Sequence, residues 1–554
     1  MSIARLASRM AYSALRAEKR PLAVAGSKCK LRLVACRILS RYAILTKRLL
    51  LLLYFPTTAF HTWTTLRQSS ASPSTSGDNS SEFTSSNPPL AFPCIDKLES
   101  RTMSLDGGPE PSYDKVVTGY ETFNYSSPFL LDHGGILPNF DIAYETWGKL
   151  NEKRDNAILI HTGLSGSSHA KSHIKNTKPG WWENFIGPGA YIDTNKFFVI
   201  CTNVIGGCYG STGPSSIDSA DGERYATRFP ILTVWDMVRA QFRLLDSLGI
   251  EKLHASVGAS MGGMQSLAAA ALYPDRVNRL ISISACARSH PYSIALRHTQ
   301  RQVLMADPNW NKGFYYKGVP PHIGMKLARE IATISYRSGP EWELRFGRKR
   351  AQENQSPALC PDFLIETYLD HQGERFCLQY DANSLLYVSK AMDMFDMSKS
   401  AVTKLKTQRT KNEPVLRRLT ERQNSIDEHK TFAEACRYET GNKSALEQHE
   451  ETAAEAPKSD GKKVLSTLAT SDPVTQDLIE GMTGIKMPAL VLGVQSDILF
   501  PVWQQKEIAE CLRAAGNKNV TYYELDSMYG HDTFLIDGVS VGGAVKGHLE
   551  LLDT

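Results

Sequence analysis

Short apolar runs alternate with amphipathic segments along the chain beyond its N-terminal region. The runs 157–161, 253–257 and 488–494 are nearly continuous in apolar residues, which is typical of strands buried on both faces. Residues 233–248 place their apolar side chains on one helical face, and Gly249 is a helix-stop signal. This alternation predicts an α/β fold, with a mostly parallel sheet and helices on both of its faces.

One strand-to-helix junction carries a chemical signal. Residues 258–262 read G-x-S-x-G, with Ser260 at the centre, and they lie between the run 253–257 and a helix-like segment at 262–272. The pattern alone occurs by chance in chains rich in Gly and Ser, so the context is what favours a nucleophile elbow. A side chain at Gly258 or Gly262 would collide with the neighbouring strand or helix. Ser260 is therefore the predicted nucleophile.

The acid and the base follow Ser260 in the order that an α/β-hydrolase triad requires. Asp497 lies just past the run 488–494, and His531 follows a second strand-like run at 520–525. In this interpretation His531 removes the proton from Ser260, and Asp497 fixes the imidazole tautomer. The alternative is a helix-capping Asp497 and a His531 that is one of 14 ordinary histidines. Their joint order and placement favour the catalytic interpretation.

Two backbone N–H groups are predicted to form an oxyanion hole. One belongs to Met261, the residue after the nucleophile, and the other to the loop that follows the strand 157–161. Leu164 is the predicted second donor, although the same segment reads equally as an ordinary glycine-containing turn.

From about Thr118 onward the chain resembles the homoserine O-acetyltransferase family, including its serine O-acyltransferase branch of fungal type. The matching blocks are 140–148, 180–183, 187–189, 206–214, 258–265 and 530–535. The resemblance implies an α/β-hydrolase fold with a helical cap, and a two-step acyl transfer. An acyl-CoA, acetyl-CoA or succinyl-CoA, would acylate Ser260, and the hydroxyl of a small amino acid would then accept the acyl group. No permanently bound cofactor and no metal are expected.

The resemblance also implies how the amino acid is held. Arg329 on a cap helix would bind the carboxylate, since a guanidinium suits a carboxylate geometrically. Tyr336, seven residues on, and Asp532, as receptor of the ammonium group, complete the set. Without the resemblance, Arg329 reads as a solvated helix residue paired with Glu330 or Glu343. A plain esterase or thioesterase, the alternative of a different class, needs no such receptors.

The acceptor is predicted to be L-serine, because the loop 161–170 and the pair Cys208-Tyr209 resemble the serine branch. The expected product is O-acetylserine for cysteine biosynthesis. Homoserine O-acetyltransferase of methionine biosynthesis and serine O-succinyltransferase remain alternatives. One methylene separates the two acceptors, and a pocket discriminates that by only ~1–3 kcal/mol.

Composition shifts divide the chain into six parts. The predicted boundaries are a targeting segment 1–70, a disordered linker 71–117, the first part of the core 118–288, a helical cap 289–397, a disordered charged insertion 398–475 and the second part of the core 476–554. The cap would exclude water from the acyl intermediate, and the resemblance suggests a homodimer through its helices.

The first 70 residues contain Glu18 as their only acidic residue, against many Arg, Ser and Leu. This balance predicts a mitochondrial presequence and a matrix location, with a cytoplasmic location as the alternative. The apolar stretch 49–55 is too short to span a membrane, which takes ~20 residues. A signal anchor is the less favoured interpretation.

Composition excludes several other classes. The net charge of +5 has its excess in the N-terminal segment, so it does not indicate a nucleic-acid-binding face. The 10 cysteines form no C-x-x-C pair and no Cys/His metal spacing. That argues against a disulfide framework and against a structural zinc, and Cys208 reads as a small core residue. Small-molecule substrates are the predicted partners.

Overall fold

The computed structural model describes residues 116–357, 359–423, 429–439 and 472–551. The predicted targeting segment 1–70, most of the linker 71–117 and part of the insertion 398–475 lie outside the described residues. Among the described helices, none combines the length and the apolar character that a membrane crossing requires.

An eight-stranded sheet forms the centre of the described part. Its strands, with two small two-stranded pairs, are β1 Glu121–Tyr125, β2 Phe129–Leu130, β3 Ile136–Leu137, β4 Phe140–Trp147, β5 Ala157–His161, β6 Ile186–Gly187, β7 Ile192–Asp193, β8 Phe198–Thr202, β9 Ala255–Ala259, β10 Leu280–Ile283, β11 Ala489–Val494 and β12 Val520–Leu525. The order across the large sheet is β1-β4-β8-β5-β9-β10-β11-β12. β1, β4 and β8 pair antiparallel, and every pairing from β8 to β12 is parallel. The predicted mostly parallel α/β sheet is confirmed.

Helices cover this sheet and build a second layer above it. They are α1 Val234–Ser247, α2 Met261–Leu272, α3 Pro291–Met305, α4 His322–Tyr336, α5 Gly339–Arg345, α6 Leu364–Cys377, α7 Ala382–Asp393, α8 Lys399–Gln423, α9 His429–Glu439, α10 Pro473–Gly481, α11 Val502–Ala514, α12 Thr533–Ile536 and α13 Gly538–Leu549. α1 begins at a capping box, in which Thr233 and Asp236 each accept the other's backbone N–H.

The continuous apolar runs in the sequence reflect burial on both faces of the sheet. In β5, Ala157 and Leu159 belong to the core on one face, while Ile158 and Ile160 belong to the core on the other. Successive strand residues point to opposite faces, so a strand covered on both sides is mostly apolar and lacks the alternation of apolar and polar residues seen in a half-exposed strand. This two-sided burial fixes β5, β9 and β11, whereas β12 is the partly exposed strand that pairs with β11 at the end of the sheet. The carboxyl ends of these four parallel strands lie along one edge of the sheet.

Helices α3 to α7 lie in the segment 289–397, where the sequence predicted a cap. A separate apolar cluster, which includes Tyr315, Met325 and Phe376, holds these helices together. A buried ion pair joins α3 to α7, with 2.6 Å between the Arg297 Nε and Asp393 Oδ1 atoms. The cap therefore has a core of its own, distinct from the two cores of the sheet.

The prediction of disorder over 398–475 is wrong for a large part of that segment. Residues 399–423 form α8 and 429–439 form α9, and α10 begins before the predicted boundary at 475. Leu419 of α8 and Phe432 of α9 are buried against Leu130 and Ile136 of the β2–β3 hairpin. This docking could not be predicted from the sequence, because the segment 399–439 has few apolar residues among many charged ones. The residues that they contact, Leu130 and Ile136, lie almost 300 positions earlier in the chain.

A substitution at this docking site tests the correction. We expect Leu419→Ala to lower the free energy of unfolding by about 2–5 kcal/mol, because it leaves a cavity beside Leu130. Urea unfolding of the full chain measures the change, with the exposed Glu421→Ala as the matched control. Unchanged unfolding, together with unprotected amides over 399–423, would contradict the docked helix.

Candidate active site

Ser260 lies in a strained turn between β9 and α2. Its φ and ψ are 58° and −126°, a conformation that residues other than glycine rarely adopt. A Cβ at Gly258 would penetrate the carbonyl oxygen of Gly262, and a Cβ at Gly262 would penetrate that of His161. The two glycines thus permit a backbone approach that no other residue allows, as the sequence predicted, and the approach fixes the position of the serine.

Asp497 and His531 are brought together at the ends of β11 and β12. The Asp497 Oδ2 atom lies 2.7 Å from the Nδ1 atom of His531, and both side chains are buried. The other carboxylate oxygen, Oδ1, accepts the backbone N–H groups of Leu499 and Phe500 at 2.9 and 2.8 Å. Both carboxylate oxygens of Asp497 are therefore hydrogen-bonded, and the one that faces Nδ1 fixes the orientation of the His531 ring. The Nε2 atom of His531 is then the nitrogen available to Ser260. Ser260 and His531 line the same pocket.

The surroundings of His531 set its protonation. Burial lowers the pKa of His531, but the charges of Asp497 and then of Asp532 outweigh it, so the pKa lies above its usual 6.5. The ring also stacks on Phe500, with 5.2 Å between ring centroids. A raised pKa stabilises the imidazolium form that a general base acquires when it takes the serine proton.

The two predicted oxyanion donors approach from different elements. Met261 is the first residue of α2, and Leu164 lies in the loop after β5. The side chain of Gln265 joins these elements, since its Nε2 atom donates to the carbonyl of Thr162 at 3.0 Å. From the cap, the Tyr380 hydroxyl donates to the carbonyl of Leu164, also at 3.0 Å. The loop is thus held from both sides.

The pocket between sheet and cap has a volume of about 230 Å³. Its lining residues are Gly163, Leu164, Ser165, Gly166, Trp181, Ala259, Ser260, Arg297, Gln300, Arg329, Tyr336, Met392, Leu499, His531, Asp532, Phe534 and Leu535. Every predicted site residue except Met261 and Asp497 is in this set. Met261 adjoins Ser260 in the chain, and Asp497 lies behind the ring of His531, to which it is hydrogen-bonded. The structure therefore assembles at one cavity side chains that the sequence scatters over more than 370 positions.

Arg329 and Tyr336 face this pocket from α4. The Arg329 guanidinium carbon lies 5.3 Å from the centroid of the Tyr336 ring and 4.5 Å from that of Phe376. Its Nε atom is buried and has no hydrogen-bond partner among the described residues, whereas Glu330 lies near Lys326. An aromatic cradle with an unpartnered donor fits a guanidinium that awaits an anion.

Asp532, the predicted receptor of the ammonium group, already has a partner in the protein. Its Oδ2 atom lies 3.1 Å from the Nε atom of Arg337, a residue that the sequence interpretation missed. Burial raises the pKa of Asp532, and the charges of Arg337, His531 and Arg329 lower it, with a net rise. An incoming ammonium group would therefore share this carboxylate with Arg337.

A second buried arginine reaches the pocket from α3. Arg297 is 2% exposed; its Nε atom donates to Asp393, and its Nη2 atom to the Ser289 hydroxyl at 3.1 Å. The third nitrogen, Nη1, has no hydrogen-bond partner among the described residues. Gln300, one helical turn along, lines the same wall. Nothing in the sequence distinguished Arg297 from a solvent-exposed arginine, because a polar helical segment has the same sequence pattern whether it faces solvent or a cavity.

Known proteins place the chain in a family. A model of the alpha/beta hydrolase fold matches residues 156–537. A serine O-succinyltransferase of Emericella nidulans is 59% identical over 475 residues, covering 84% of this chain and 89% of that protein. One of Schizosaccharomyces pombe is 56% identical, covering 85% and 96%. A homoserine O-acetyltransferase of Methanobrevibacter ruminantium is 38% identical, covering 75% and 70%.

The chain belongs to the homoserine O-acetyltransferase-like family of alpha/beta hydrolases. The resemblance inferred from the motif blocks is confirmed, and the relatives bear the names of O-acyltransferases, so this family member is an acyltransferase. Among solved structures, a homoserine O-acetyltransferase from Bacillus anthracis has a TM-score of 0.59 at 24% identity, covering 79% of this chain and 99% of that one. At this identity the likeness supports the fold alone.

The raised pKa of His531 predicts the pH dependence of activity. The imidazole acts as a base only when neutral, so kcat/KM should rise with pH through a midpoint above 6.5. Asp497→Asn should lower kcat by roughly 10⁴-fold, because the imidazole loses the group that fixes its tautomer.

Steady-state kinetics between pH 5 and 9 measures both effects, and Asp526→Asn, an exposed acid after β12, is the control that should change neither. An acid limb centred below 6.5, or a nearly normal Asp497→Asn variant, would contradict the assigned pair.

Proposed function

We propose that this enzyme is a serine O-acyltransferase that uses succinyl-CoA as its acyl donor. The observation that carries the proposal is a pocket lined by Ser260, His531 and two arginines, Arg297 and Arg329. Each arginine has one buried nitrogen that has no hydrogen-bond partner among the described residues. Two anion receptors match the two carboxylates of the reaction, one on the amino acid and one on a succinyl group.

The acceptor is assigned from charge and from relatives. A free amino acid carries a carboxylate and an ammonium, and the pocket offers Arg329 for the first and Asp532 for the second. The relatives named serine O-succinyltransferase are 59% and 56% identical, against 38% for the homoserine O-acetyltransferase of Methanobrevibacter ruminantium. L-homoserine is the second candidate, since one methylene changes binding by only ~1–3 kcal/mol.

The donor assignment departs from the sequence prediction, which favoured acetyl. An acetyl group has nothing for the free Nη1 atom of Arg297 to bind, whereas the distal carboxylate of a succinyl group would complete its hydrogen bonds. The names of the fungal relatives point the same way. Acetyl-CoA remains the alternative donor.

The mechanism has two half-reactions through one intermediate. The Ser260 hydroxyl attacks the thioester carbonyl, His531 takes the proton, and the C–S bond breaks as the departing thiolate takes that proton back. The substrate hydroxyl then attacks the acyl-Ser260 ester, with His531 again as base, and Ser260 leaves protonated. The N–H groups of Met261 and Leu164 stabilise the oxyanion in both steps.

The cap favours transfer over hydrolysis. Tyr336 and Phe376 pack on Arg329, and a bound amino acid would displace water from the part of the pocket next to the acyl ester. An esterase needs no pair of buried arginines, so the esterase alternative leaves Arg297 and Arg329 without a role.

Location, assembly and pathway extend the proposal. The acid-poor, basic segment 1–70 supports import into the mitochondrial matrix. The exposed apolar side chains Ile323, Leu327 and Ile334 on the cap helix α4 support a homodimer. An O-acylated serine is an activated substrate for replacement by a sulfur nucleophile, which supports a role in cysteine biosynthesis.

A substrate matrix tests the assignment. Acetyl-CoA and succinyl-CoA are each offered to L-serine and L-homoserine, with thiol release and product mass followed together. We expect O-succinylserine as the dominant product. O-acetylserine would keep the acceptor and correct the donor, O-acetylhomoserine would correct both, and thiol release without an acylated amino acid would contradict the transferase.

Arg297 allows a sharper test of the donor. We expect Arg297→Met to lower kcat/KM for succinyl-CoA by about 10- to 150-fold, the value of a charge-assisted hydrogen bond, and to change kcat/KM for acetyl-CoA far less. Arg301→Met is the matched control, because Arg301 pairs with the same Asp393 but does not line the pocket. Equal losses with both donors, or equal losses in both variants, would contradict the role of Arg297.

A further inference from the structure

A buried polar cluster lies beneath the oxyanion loop, outside the pocket. We call it the Glu145 anchor, and it consists of Glu145 on β4 with Ser168, His169 and His173 from the loop after β5. The Glu145 side chain is 1% exposed, and neither it nor its partners line the pocket. The acyl transfer described above assigns the cluster no chemical step.

All three side-chain partners of Glu145 come from one loop. Its Oε1 atom accepts the Ser168 hydroxyl at 2.9 Å, and its Oε2 atom accepts from His169 Nδ1 at 2.8 Å and from His173 Nε2 at 2.6 Å. A buried carboxylate is costly unless its oxygens are hydrogen-bonded, so these bonds hold the loop onto β4 as firmly as they hold Glu145.

The donors and acceptors in the cluster match as hydrogen bonds. The other ring nitrogen of His169, Nε2, lies 2.8 Å from the carbonyl oxygen of Lys178, so each ring nitrogen of this imidazole faces an oxygen acceptor.

The same three residues could hold a metal ion, since their ligand atoms lie within 4.8 Å of one another. His173 argues against a metal ion: its Nδ1 atom accepts the backbone N–H of Lys175 at 3.2 Å, which puts its proton on Nε2, towards Glu145. An imidazole that donates from Nε2 is not available as a ligand there.

The anchored residues are continuous with the oxyanion loop. Ser168 lies four positions after Leu164, and the carbonyl of the intervening Ser167 accepts the indole N–H of Trp181 at 2.9 Å. Trp181 itself lines the pocket. A displacement of Ser168 and His169 would therefore be transmitted through a few backbone bonds to the Leu164 N–H.

We infer that Glu145 is a positioning residue, which sets the oxyanion hole by binding Ser168, His169 and His173 beneath the loop that carries Leu164. The inference rests on the proposed acyl transfer. Oxyanion donors act on the transition state, so a displaced donor lowers kcat and leaves ground-state binding largely intact. Substrate binding through Arg329 and Asp532 belongs to other elements and stays in place.

The test compares two variants of the full chain that weaken the anchor to different extents. Glu145→Gln puts an amide donor against the histidines, and Ser168→Ala removes one hydrogen bond. We expect kcat to fall by roughly 10- to 100-fold in Glu145→Gln and less in Ser168→Ala, with little change in either KM. The single-turnover release of CoA without acceptor should slow in parallel, and the loop amides should exchange faster.

Asp132→Asn is the matched control. Asp132 is fully buried and bonds Arg239 and Thr233 on the far side of the core, so its loss costs stability without touching the oxyanion loop. An unchanged kcat in this control, beside a lowered kcat in folded Glu145→Gln, supports the inference. A normal kcat in Glu145→Gln, or an equal loss in Asp132→Asn, overturns it.

Two further outcomes distinguish the Glu145 anchor from a metal site and from a failure of the proposed acyl transfer. Equimolar bound metal, with activity lost on chelation and restored by the metal, would make the cluster a metal centre and overturn the anchor. A wild-type enzyme that releases CoA but acylates no amino acid would refute the proposed function, and CoA release would still report on the anchor.

Discussion

The close backbone contact between β9 and α2 is the constraint on which the site depends. Gly258 lies so close to the carbonyl of Gly262, and Gly262 to that of His161, that a Cβ at either glycine would clash, and Ser260 between them has a φ of 58°. The strain is sustained by strands buried on both faces, whose positions are over-determined by packing. The same contact places the Met261 N–H beside the serine and the start of the oxyanion loop beside α2. One tight turn thus orients the nucleophile and an oxyanion donor together.

Charged side chains on its lining are the feature of this pocket that bears most on substrate binding. Arg297, Arg329 and Asp532 line one small pocket, and Arg337 pairs with Asp532. A buried ion pair is costly unless its remaining polar atoms are also hydrogen-bonded. Among the described residues, Arg297 Nη1 and Arg329 Nε have no hydrogen-bond partner, whereas the Nε and Nη2 atoms of Arg297 are bonded. Unpartnered buried donors of this kind are expected in a site where a bound substrate supplies the missing hydrogen-bond acceptors. The segment 289–397 supplies the three arginines, so in the proposed mechanism the same layer of helices would bind the substrate and exclude water.

Much of this could be read from the sequence, because the signals were local. The elbow motif, the order Ser260, Asp497, His531 and the two-sided strands depend on short segments and on rules of chain topology. What the sequence concealed depends on tertiary contacts. Arg297 sits on a polar helical segment and faces inward only because the cap folds over the sheet. The pairing of Arg337 with Asp532 and the docking of Leu419 join residues far apart in the chain, and no local sequence pattern predicts such contacts.

The central claim is that the acyl group passes through Ser260 to an amino acid. Peptide mass spectrometry after a rapid acid quench tests it most directly, with the enzyme mixed with succinyl-CoA for milliseconds and then chased with L-serine or buffer. The account predicts one succinyl group on the peptide that contains Ser260, lost much faster with L-serine than with buffer. Acylation at another residue, or decay at the same rate with and without L-serine, would contradict it.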